Sequence, residues 1–140
     1  NGPPLIDLPP VRFANAIQLT GYALAEGRLY VAWTLPAAAH EGRYLRSFAH
    51  FLDAGGARVA QQDVDFWPDH YWRAGDRLIT WIDADVPEGA VTLRLGLYVI
   101  EEGRFIQVDA LDEAGNPAAP WVDVPLAEDT LSSVGLRSDG

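Results

Sequence analysis

Cysteine, methionine and lysine are all missing from this 140-residue chain. The lack of cysteine excludes disulfides, thiolate zinc sites, iron–sulfur clusters and a thiol nucleophile together. It assigns no compartment, because exported domains also do without cysteine. Without lysine the phosphate-cradling pattern Gly-x-x-x-x-Gly-Lys cannot occur. Positive charge is scarce: 10 basic residues against 20 acidic ones leave a formal net charge of −10. Phosphate binding needs a basic stripe, so this balance disfavours nucleic acid and an anionic membrane surface as partners. No apolar run approaches the roughly 20 residues that cross a bilayer, which predicts no membrane insertion of its own. The chain opens Asn1-Gly2-Pro3-Pro4 rather than on methionine, and this reads as an excised or processed domain.

What is present is a core. Hydrophobic residues make up 49%, too many for a disordered chain and enough for one domain at this length. Apolar and polar residues alternate in short runs between turn signals, the pattern of half-buried strands. Ile17 to Tyr22 is the first run, and Glu26-Gly27 turns the chain into Arg28–Leu35. There Leu29, Val31, Trp33 and Leu35 share one face, and Tyr30, Ala32 and Thr34 share the other. Tyr44 to Asp53 is apolar on both faces. Its leucine and phenylalanine spacing also fits a helix, but its aromatics and the turn signal Asp53-Ala54-Gly55-Gly56 favour a buried strand. Further strands are predicted at 58–64, 78–82, 91–100, 105–108 and 121–126. About eight strands without a long helix predict an all-β fold, an antiparallel two-sheet β-sandwich, immunoglobulin-like or jelly-roll-like, with a small barrel as the alternative. The four prolines in residues 1–10 predict a stiff linker, 11–126 the single domain, and 127–140 a flexible tail.

Three constellations could carry chemistry. The loop Asp65–Asp76 gathers Phe66, Trp67, His70, Tyr71 and Trp72. Aromatic faces stack on sugar rings and His or Asp can take hydroxyls, so Trp67, His70, Tyr71 and Trp72 are the candidate ligand-binding residues. The competing reading is that Trp72, with Phe66 or Trp67, plugs the open end of the sandwich. Second, His50 lies mid-strand and reads as a core histidine bonded to a backbone carbonyl rather than a metal ligand. No HExxH spacing links it to His40 or His70, and no metal or other cofactor is predicted. Third, carboxylates pair at Asp63/Asp65 and Asp83/Asp85 and cluster at Asp109, Asp112 and Glu113. They could hold calcium or serve a small glycoside hydrolase, but in so acidic a chain they read first as solubilising surface. No Gly-x-Ser-x-Gly elbow occurs, and no catalytic residue is assigned.

Three stretches in order carry a resemblance. They are Ser47–Asp53 with its glycine-rich turn and Val59–Asp63; Trp67-Pro68-Asp69-His70-Tyr71-Trp72-Arg73-Ala74-Gly75-Asp76; and Pro87-Glu88-Gly89 followed by Val91–Tyr98. Over about residues 15–110 the succession resembles the C-terminal β-sandwich accessory domain of bacterial membrane-embedded glycosyltransferase-like proteins. Trp67 and Val91 stand where that pattern has tyrosine, and Val99 stands where it has aspartate. The resemblance implies a non-catalytic, extracytoplasmic module tethered in the cell envelope through a parent protein, serving protein contact or orientation of a glycan-handling partner. A carbohydrate-binding module built on the 65–76 loop is the alternative.

Overall fold

The computed structural model describes residues 4–37, 44–66 and 71–126. Eleven strands run through them: β1 (Ile6–Arg12), β2 (Gln18–Ala25), β3 (Arg28–Thr34), β4 (Tyr44–Asp53), β5 (Arg58–Asp65), β6 (Arg77–Asp83), β7 (Ala90–Glu101), β8 (Arg104–Val108), β9 (Ala110–Leu111), β10 (Pro117–Ala119) and β11 (Val122–Pro125). One sheet has the order β1-β2-β3-β6. The other has β11-β7-β4-β5, with β8 also pairing β7, and β9 and β10 form a small ribbon. Every pairing is antiparallel. The all-β sandwich is therefore as the alternation predicts, with eleven strands instead of about eight because β1, β9 and β10 escape the pattern.

Local chemistry explains the hairpins. Glu26 and Gly27 both take positive φ, as do Glu102 and Gly103, the backbone that a two-residue turn needs to match the strand twist. At the β4–β5 turn the Asp53 carboxylate accepts the N–H of Gly55 and of Ala57, so the side chain itself holds the loop.

The core lies between the sheets. Leu29, Val31, Trp33 and Leu35 enter it from one side, and Leu93, Leu95, Leu97 and Val99 from the other. Trp33 is fully buried, its ring tilted against Phe13 and edge-on to Phe66. Its Nε1–H donates to Thr80 Oγ1 at 3.1 Å, which satisfies the polar tip that burial would otherwise leave unpaired.

Two sequence expectations are corrected here. Residues 6–10 are not linker: they lie within β1, which pairs β2 from Ile6 to Arg12 with a register shift between Asp7 and Val11. Pro9 and Pro10 sit in that irregular stretch of an edge strand, where missing N–H groups cost no ladder bond. His50 is not a core histidine either. Leu45, Ala49 and Phe51 of β4 point into the core, so His50 falls on the outer face. The expected tail, 127–140, lies outside the described residues.

Candidate functional site

The loop predicted to bind a ligand divides. Trp72 is 5% exposed and packs edge-on to Phe66 in the core. Its faces are spent on packing, so it serves as the plug and not as a stacking platform. Tyr71 is 56% exposed. Trp67 and His70 lie outside the described residues. Arg73-Ala74-Gly75-Asp76 is a turn in which the Asp76 carboxylate accepts the Arg73 N–H at 2.9 Å.

The acidic pairs are engaged separately. Asp112 closes its own turn by accepting from Ala114 N–H and Asn116 N–H. Asp83 contacts Arg28 at 3.4 Å. Among the described residues no group of three or more His, Asp or Glu side chains is placed to hold a metal.

The first and third motif stretches meet elsewhere, on the outer face of the five-stranded sheet. In the β4–β7 ladder Phe48 stands opposite Gly96, and Arg46 opposite Tyr98. Glycine leaves a hollow there, and the Phe48 ring fills it: a Cβ on Gly96 would overlap Phe48 Cζ and Cε2. With its ring so seated, Phe48 is buried although it points away from the core. His50 lies against it at 4.7 Å between ring centroids. Tyr98 flanks it at 6.3 Å, and Phe105 of β8 lies tilted against Tyr98 at 5.2 Å. An aromatic row thus crosses β4, β7 and β8, ending in Phe105, which is 74% exposed.

Polar groups border the row. Tyr98 Oη–H donates to Asp63 Oδ2 at 2.7 Å, and Tyr44 Oη–H donates to Asp65 Oδ1 at 2.6 Å. Arg46 Nε lies 2.9 Å from Asp65 Oδ1. This is a charge contact off the N–H axis, which leaves Nε without a linear hydrogen bond. On the far side Arg94 grips Asp123 with two bonds, 2.7 and 2.9 Å, and its guanidinium lies 4.1 Å over the Trp121 ring.

Burial, followed by the hydrogen bond to Asp63, pushes the Tyr98 phenol up from 10.0 to about 12, so it stays a neutral donor. Burial, followed by the charge of Arg58, holds His50 below the ordinary histidine value of 6.5, against a smaller opposing pull from Asp63. Its imidazole is accordingly neutral at pH 7. Sequence reasoning missed Phe105, Tyr44 and Asp63 as members of this site. No signal within one strand could have found them, because the row exists only once β4, β7 and β8 are neighbours.

No protein-family model and no curated protein matches the chain. Among solved structures, the crystal structure of an endonuclease/exonuclease/phosphatase from Beutenbergia cavernae DSM 12333 is similar, at 15% sequence identity and a TM-score of 0.33. The match covers 79% of this chain and 23% of that one, so this chain spans about a quarter of that protein's length, and a likeness this distant carries no functional argument.

Proposed function

We propose that this chain is a non-catalytic accessory β-sandwich of a larger glycosyltransferase-like protein of the cell envelope, acting by protein contact or by orienting a glycan-handling partner. The supporting observation is the convergence of two motif stretches on one outer sheet face, where a row of aromatics ends in the exposed Phe105. An exposed aromatic beside a polar rim is how contact surfaces are built.

The test is association in trans between the purified domain and the remainder of the polypeptide encoded with it. Binding that weakens at least about tenfold with Phe105→Ser supports the reading. Turnover of glycosides or phosphate esters by the domain alone, abolished by Asp63→Asn, would overturn it. Carbohydrate binding is the second reading, favoured by the exposure of Tyr71. Oligosaccharide titrations that respond to Tyr71→Ala and ignore Phe105→Ser would place it first.

A further inference from the structure

Strand β6 is an edge of the four-stranded sheet: β3 lies on one side, and among the described residues no strand pairs with the other. The opposite edge, β1, is guarded by Pro9, Pro10 and a register shift, devices that prevent strand addition. β6 has none of these. It reads Arg77-Leu78-Ile79-Thr80-Trp81-Ile82-Asp83, with Ile79 and Trp81 44% and 49% exposed. An open groove of about 470 Å³ runs along it, bounded across the seam by Val64, Asp65 and Phe66.

The hydrogen-bond parity of this edge is fixed by its other side. Ala84 N–H donates to Gly27 O and Leu35 N–H to Asp76 O, both at 2.8 Å. With the β3–β6 register, residues 76, 78, 80, 82 and 84 are therefore the ones that exchange bonds with β3. The backbone groups of Arg77, Ile79, Trp81 and Asp83 point outward.

We propose that β6 pairs antiparallel with β6 of a second copy of this chain, about a two-fold axis at Thr80. The sequence is self-complementary in that register. Arg77 faces the copy's Asp83, and Ile79 faces its Trp81, each twice. The four residues brought together are the four whose backbone groups point outward. Leu78 meets Ile82 on the inner face, and Thr80 meets itself at a non-hydrogen-bonded position. A two-fold interface requires this self-complementarity, and here charge, apolar pattern and hydrogen-bond parity meet it together. The two four-stranded sheets then become one continuous sheet. Asp83, already beside Arg28, comes to lie between two guanidinium groups. The inference is independent of the function proposed above.

Sedimentation velocity on the intact chain over a micromolar concentration series tests it. A reversible dimer is expected, with the dissociation constant raised at least about tenfold by Arg77→Asp, which sets like charges opposite each other. Ile79→Asp, which sets a carboxylate against the Trp81 ring and diagonal to the copy's Asp83, is expected to yield a monomer. Ile79→Pro removes an outward donor and leaves the β3 ladder whole, so it should give a folded monomer, whereas Thr80→Pro breaks the ladder and unfolds the domain. If Ile79→Pro fails to fold, Ile79→Asp decides the matter. A wild-type monomer throughout the series, or a dimer indifferent to both Arg77→Asp and Ile79→Asp, would overturn the proposal.

Discussion

Gly96→Ala is a one-carbon change with a large expected cost. The added Cβ would occupy the space of the Phe48 ring. One response is for the ring to stay and strain its surroundings, at about 1–3 kcal/mol. The other is for it to swing into water and forfeit the burial of a nearly covered phenylalanine, about 1.5–3 kcal/mol. Replacing glycine in a strand returns roughly 0.5–1 kcal/mol of backbone entropy. The net expectation is a loss of about 1–2 kcal/mol, which lowers the midpoint of thermal unfolding by several degrees, on the order of 3–5 °C per kcal/mol at this size. The decisive assay is urea unfolding of four proteins: wild type, Gly96→Ala, Phe48→Ala and the double variant. With the ring gone the clash is gone, so Gly96→Ala in the Phe48→Ala background should be neutral or stabilising by about 0.5 kcal/mol. Equal costs in the two backgrounds would refute the account of Phe48 as the ring that fills the glycine hollow.

Three further outcomes are expected. Tyr98→Phe removes the bond to Asp63 and should cost about 1–2 kcal/mol at pH 7. Because the folded phenol titrates at about 12 against 10.0, its contribution is intact below pH 10 and is lost as the pH rises toward 12; the Tyr98→Phe variant should lack that alkaline decline in chemical denaturation. His50 has the opposite sign. Its folded value lies below 6.5, so its neutral form is favoured by folding and stability drains away as the pH falls below 6.5. His50→Gln should flatten that acid limb, and a histidine NMR titration should find His50 below the ordinary value. Trp72→Ala should destabilise by about 3–5 kcal/mol in calorimetry, because the ring packs on Phe66 inside the core; a cost under about 0.5 kcal/mol would return Trp72 to the surface.

Hairpins and facing residues were legible in the chain because they depend on near neighbours. The alternation Leu29, Val31, Trp33, Leu35 names the buried face of β3, since a strand has period two and only one side can meet the core. Glu26-Gly27 names its turn because the positive φ it adopts is a local demand. The Tyr44–Asp53 segment could be placed as a strand, but its apolar character on both faces hid which side His50 would take.

What only tertiary structure decided is which distant strands become neighbours. That β7 lies between β4 and the pair β8 and β11 is what brings Phe48, Gly96, Tyr98 and Phe105 into one row, and no periodicity within a single strand encodes that order. The proline-rich start joined the sheet as β1 because an edge strand tolerates missing donors, a fact about its position and not its composition. The 65–76 loop divided for the same reason. Trp72 reached the core because space beside Phe66 and Trp33 was open to it, while Tyr71 next to it stayed in water. The sequence by itself determined strands, turns and the absence of thiol and lysine chemistry, all set by local backbone preference and composition. The sheet order, set by the burial of whole faces against each other, determined where the aromatic surface lies.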